Sequence, residues 1–196
     1  MIWAAVLLAF VCWAATFGWS GGNFWVKIGV SVVAVFAYSL FWQKPKIAFR
    51  LRSFFLGLLS AAILYAVFYL GHHLAPYLLP ASKTQVGGIY SLGEGTGKVL
   101  IFLLLFFITG PGEEIFWRGF LQDRLMEKYG DFPGFISATL VYAGVHVFSW
   151  NLMLILAALV AGAFWGLLYL WKRDLLAQIT SHSFWSAVIF AVAPIQ

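Results

Sequence analysis

Residues 110–120, GPGEEIFWRGF, set two adjacent glutamates and an arginine inside a run of phenylalanine, isoleucine and tryptophan. Residues 99–109 before them carry no charge. Ionisable side chains in such surroundings are expensive, so they are retained as pairs or for chemistry. Glu114 and Arg118 stand four apart with the acid first, the favourable order for an ion pair along a helix. Glu113 points about 100° away on the same helix and shares a face with Phe116, Trp117 and Phe120. Desolvation there turns a carboxylate into a usable base near neutral pH. Glu113 is therefore the candidate base, with Glu114 and Arg118 as its support.

Two further segments carry matching chemistry. VYAGVHVFSW places His146 one turn after Tyr142, whose ring or hydroxyl can orient the imidazole, and ITSHSFWSA places Ser186 one turn after His182. One arrangement of these groups is a water held by Glu113 and His146, with His182 and Ser186 donating to a developing oxyanion. That chemistry is amide hydrolysis within apolar surroundings. Other readings use the same residues. Glu114 and Arg118 alone can be a structural pair in a helix kink. Glu113, His146 and His182 can in principle ligate zinc, but no HExxH accompanies them, and no metal or cofactor is expected. GWSG, residues 18–21, matches the GxSG of rhomboid-like serine proteases and would make Ser20 a nucleophile; a tight turn also wants those glycines. A bacteriocin-immunity, scaffold or proton-relay protein would keep buried charges too.

The elements that must position these residues are membrane helices. The chain is 63% hydrophobic and 10% charged, with a mean hydropathy of +0.92, far outside the soluble norm. A bilayer core needs about 20 apolar residues per helical span, and runs of that length fall roughly at 2–19, 22–42, 50–79, 98–122, 132–150, 152–171 and 174–194. About seven spans, without strand alternation, make an all-α polytopic transmembrane bundle, because a chain in lipid satisfies its backbone internally. It reads as a single integral membrane domain: accessory spans over 1–95 and catalytic-core helices over 96–194. Pro111, flanked by Gly110 and Gly112, predicts a break or kink, with a helix restarting at Glu113 and Glu114.

The net charge of +5 does not imply nucleic acid, because the basic residues cluster at span ends. Lys44, Lys46, Arg50 and Arg52 join the second and third spans, Arg118, Arg124 and Lys128 follow the fourth, and Lys172 and Arg173 lie between the sixth and seventh. The positive-inside rule puts these in the cytoplasm, leaves Lys27, Lys83 and Lys98 outside, and sets the amino terminus on the cytoplasmic side of the cell membrane. No cleavable signal peptide is expected, since Lys27 is the first charged residue. The lone Cys12 reads as core filler. SKTQVGGIYSLGEGTGK lacks the first glycine and the hydroxyl of a phosphate loop, Leu92 and Val99 standing in their places, and reads as an external loop. His72 and His73, beside Pro76, read as caps of the third span.

The order EExxxR (Glu113, Glu114, Arg118), a separate histidine helix, then HxxxS (His182, Ser186) resembles the CPBP family, the CAAX proteases and bacteriocin-processing enzymes also called Abi. The resemblance covers about residues 98–190. It implies a glutamic-type intramembrane endopeptidase with a four-helix catalytic core. Glu113 would activate water, His146 would be its partner, His182 would serve the oxyanion, and Glu114 and Arg118 would stand behind them. Two positions depart from the pattern: Tyr142 replaces a phenylalanine, and Ser186 stands where the family commonly has asparagine. The implied partners are the bilayer and a membrane-anchored protein tail or short peptide.

Overall fold

The computed structural model describes residues 1–195, and every regular element among them is helical. Eight helices follow in order: α1 (Ile2–Gly18), α2 (Phe24–Trp42), α3 (Leu51–Leu78), α4 (Ser82–Ser91), α5 (Lys98–Tyr129), α6 (Asp131–Ser149), α7 (Leu152–Lys172) and α8 (Leu175–Val192). Six of them, all but α1 and α4, are long and apolar enough to cross a membrane. At 17 residues, α1 is at the short limit of a span. The fold is the polytopic helical bundle that the composition calls for.

Three local readings change. Ser82–Ser91 is a helix, not loop. Its polar, glycine-containing sequence has no strong periodicity, and the helix is held instead by neighbours. Asn151 Nδ2 donates to the Gln85 carbonyl at 2.8 Å, the Met153 N–H donates to Gln85 Oε1 at 3.0 Å, and the Tyr90 hydroxyl donates to the Ile189 carbonyl at 3.2 Å. The second correction concerns Pro111. α5 does not break there; it runs through Pro111 as one helix, with wider π-helical turns at Leu105–Thr109 and Trp117–Gln122 bracketing the charged segment, and α geometry resumes at Gly110 with Glu113 in its first turn. A proline removes one backbone donor and pushes its ring at the preceding turn, and the π turn just before it is the kind of local adjustment that absorbs both. Third, α3 continues through Pro76 to Leu78, so His72 and His73 lie inside the helix instead of capping it.

The bundle's interior is assembled by close helix approaches at small residues, as lipid-embedded helices require. A Cβ on Gly110 of α5 would fall 2.8 Å from the Ser183 Cα of α8, and one on Gly57 of α3 would fall 2.7 Å from the Ala177 carbonyl of α8. The turn from α5 to α6 passes through Gly130 at φ +92°, a conformation that suits glycine. The basic span ends meet at one end of the bundle. Arg173 pairs with Asp123 at 3.2 Å and with Asp131 at 2.6 Å, Gln43 donates to Asp123, and Ser53 donates to the Asp174 carboxylate. Arg118 is the exception among the cations that follow the fourth span. It lies inside the bundle, 2% exposed.

Candidate active site

Geometry on α5 sorts the two glutamates as their spacing predicts. Glu114 is fully buried, and its Oε1 accepts from Arg118 Nη1 at 3.0 Å along the same helix. The same oxygen accepts from His182 Nδ1 of α8 at 2.7 Å. Arg118 reaches onward, donating through Nη2 to the Gly162 carbonyl of α7 at 3.2 Å, with its guanidinium 4.8 Å from the Tyr142 ring and 5.4 Å from the Trp165 ring. One turn later on α5, Gln122 repeats the device by donating to the Gly166 carbonyl at 2.9 Å. Thus α5, α7 and α8 are locked through one carboxylate and one guanidinium. Breaking such a buried pair by removing one partner costs about 3–5 kcal/mol, because the remaining charge is left without compensation.

Glu113 faces the other way, into a cavity of about 340 Å³ whose walls are mostly apolar. Tyr142, His146, His182 and Ser186 line the same cavity, so residues from α5, α6 and α8 converge on one space. The span ends alone put His146 at a different depth from Glu113. His146 sits in the 3-10 turn Val145–Ser149 that ends α6 before Trp150, which is left-handed, and it lines the same cavity as Glu113.

The hydrogen bonds of the two histidines fix what each offers. His182 donates from Nδ1 to Glu114, a carboxylate able only to accept, which leaves its Nε2 for the cavity. Its ring stacks on Trp165 at 4.0 Å between centroids and 16° between planes, and Trp165 Nε1 in turn donates to Ser181 Oγ at 3.0 Å. The His146 Nδ1 donates to the Tyr142 carbonyl at 2.8 Å, while its Nε2 accepts from Trp13 Nε1 at 3.3 Å. Ser186 lines the cavity, but its hydroxyl donates to the His182 carbonyl at 2.8 Å.

Two side chains close to these groups escape sequence reading. Trp165 and Trp13 are two of ten tryptophans in a chain where tryptophan ordinarily marks the membrane interface, yet both are fully buried against the histidines. No spacing rule singles them out. The other candidates fall outside the cavity. Ser20 is exposed in the turn between α1 and α2, and no histidine bonds to it among the described residues. No group of three or more His, Cys, Asp or Glu side chains among the described residues is arranged to hold a metal ion. Cys12 is half-buried and unpaired with any other cysteine.

Val67 of α3 and Leu156 and Val160 of α7 line the cavity and are each 41–43% exposed. α4 contributes Val86, Ile89 and Tyr90 to the lining. An apolar space with a few convergent polar groups is the usual form of a binding site.

Among known protein families, residues 95–188 match the model described as Rce1-like, type II CAAX prenyl endopeptidase Rce1-like. The match starts just before α5 and ends within α8, so it takes in every residue from Glu113 to Ser186 and leaves α1 to α4 outside. No curated protein and no solved structure matches the chain.

Proposed function

Residues 95–188 match the Rce1-like CAAX endopeptidase family, and from that likeness we propose that the chain is a membrane peptidase of this kind with a glutamic mechanism, in which Glu113 and His146 activate a water for peptide-bond hydrolysis inside the bilayer. The observation that carries this reading is the convergence of Glu113, His146 and His182, from three helices, on one apolar cavity.

The chemistry follows from which groups line the cavity. The Glu113 carboxylate accepts a proton from water, and the His146 Nε2 lone pair accepts the hydrogen bond from the same water, so its oxygen is aimed at a substrate carbonyl. The tetrahedral intermediate carries its negative oxygen towards His182. In the doubly protonated form His182 donates from Nε2 to that oxygen while Nδ1 stays on Glu114. With Glu113 then protonated, Glu114, Arg118 and doubly protonated His182 leave one positive charge, which offsets the oxyanion. Ser186 assists once its hydroxyl turns from the His182 carbonyl. Glu113 finally returns its proton to the leaving amine, which completes the cleavage.

The substrate class follows from the walls of the cavity. An apolar space lined by half-exposed residues of α3 and α7 suits a segment delivered along the membrane between those helices, such as the tail of a lipid-anchored protein or a short hydrophobic peptide. The basic end of the bundle, around Lys44, Lys46, Arg50, Arg52 and Lys172, is assigned to the cytoplasm of a cell membrane under the positive-inside rule. The test is cleavage of prenylated and non-prenylated membrane-anchored peptides by protein in lipid vesicles. Cleavage lost on Glu113→Gln and retained on Ser20→Ala and with a chelator is the expected pattern. Cleavage that survives Glu113→Gln contradicts the mechanism.

A further inference from the structure

His146 is held by two partners whose roles cannot be exchanged. A carbonyl oxygen only accepts and an indole N–H only donates. With the Tyr142 carbonyl 2.8 Å from Nδ1 and Trp13 Nε1 3.3 Å from Nε2, the ring is neutral, protonated on Nδ1, and presents its lone pair at Nε2. Flipping the ring by half a turn would set carbon against both partners. Moving the proton to Nε2 would set donor against donor at Trp13 and leave the Tyr142 carbonyl facing a bare nitrogen.

Trp13 is itself firmly placed. It is fully buried on α1 and meets the Trp117 ring edge-on at 5.6 Å and the His146 ring at 6.1 Å. Neighbouring Phe17 of α1 also meets His146, at 6.1 Å. Both residues lie outside the segment matched by the family model, on a helix whose sequence shows only hydrophobicity.

We infer that Trp13 is a positioning residue for the reaction: its indole N–H fixes the tautomer and ring orientation of His146, so that α1 completes the active site. The kinetic half of this inference rests on the function proposed above. At 3.3 Å the Trp13 contact is long for an N–H···N bond. A water donating to Nε2 therefore shares or displaces it at modest cost, and between turnovers the Trp13 N–H keeps that lone pair unprotonated and the ring in place.

The test combines kinetics with a direct view of the ring. Protein carrying 15N-labelled histidine has four imidazoles to resolve, and His146→Asn assigns the signal of interest. In the wild type the His146 spectrum should show protonation on Nδ1 alone. Trp13→Phe keeps a ring and removes the donor. It should produce a tautomer mixture at His146 and lower kcat about tenfold or more, with KM changed by no more than about twofold, the pattern of a misaligned catalytic group. Trp117→Phe removes a neighbouring buried indole whose N–H has no partner among the described residues, so it controls for lost ring volume and should leave the His146 signals in place. If Trp13→Phe fails to fold, 3-benzothienylalanine at position 13 keeps the shape and replaces N–H by sulfur.

An unchanged His146 spectrum overturns the inference whatever the rate. So does a tautomer mixture with kcat at or above the wild-type value. If the wild type cleaves nothing, the proposed function fails by itself, and the histidine spectra alone decide whether Trp13 fixes the ring.

Discussion

Glu114 Oε1 takes hydrogen bonds from both Arg118 and His182, which makes it the residue on which the site's geometry turns. Glu113 is the opposite case, a carboxylate facing the cavity and tied to no cation by a salt bridge among the described residues. The two should fail differently. Glu113→Gln should leave thermal unfolding near wild type and remove at least about 100-fold of the rate, the usual share of a general base. Glu114→Gln should lower both rate and stability, the latter by about 3 kcal/mol, since Arg118 would keep its charge with a weaker partner. Unfolding curves beside initial rates separate the two. Ser186→Ala should be milder, about tenfold or less in kcat, because the hydroxyl is already committed to the His182 carbonyl. A loss as large as that of His182→Ala would instead make Ser186 a full oxyanion donor. Much at this scale was legible in the sequence, because i, i+4 spacing and the 100° step fix which side chains share a face. The Glu114–His182 bond was not, since no local pattern encodes a contact between residues 68 apart.

At the scale of elements, the charged segment works because α5 stays continuous and lies very close to α8. Gly110 is where that closeness is set. Gly110→Ala would bring a methyl group within 2.8–2.9 Å of the Ser183 backbone, which must move. The expected cost is about 1–3 kcal/mol of stability, as for other overpacked contacts, and a lowered kcat because Glu114 and His182 separate. A thermal midpoint and rate equal to wild type would show that α5 and α8 part freely there. Sequence reading found the spans because runs of apolar residues report lipid directly. Proline rules for a regular α-helix predict a break or kink at Pro111, and the π turn at Leu105–Thr109 supplies the slack that keeps the helix continuous there. Sequence reading left α4 as loop for a related reason: the helix is stabilised by Asn151, Met153 and Ile189, all distant in the chain.

The whole molecule is a bundle around a cavity, and the half-exposed Val67, Leu156 and Val160 that line it make the gap between α3 and α7 its proposed opening. If substrate passes through that opening, Val160→Trp should raise KM for a membrane-anchored tail several-fold while leaving kcat for a short soluble peptide within about twofold. Equal effects on both would place the route elsewhere. The helices outside the family match are part of this architecture: α1 supplies Trp13, α3 one wall and α4 another. Sequence alone gave these helices no role beyond hydrophobicity, because buried tryptophans and interfacial ones have the same composition. The central claim is that Glu113 activates water in this cavity. Its most direct test is single-turnover cleavage of a membrane-anchored peptide in lipid vesicles by wild type and by Glu113→Gln, both shown to be folded by thermal unfolding. The account predicts cleavage by the wild type and a rate reduced at least about 100-fold in the variant. Equal rates from the two proteins would contradict it.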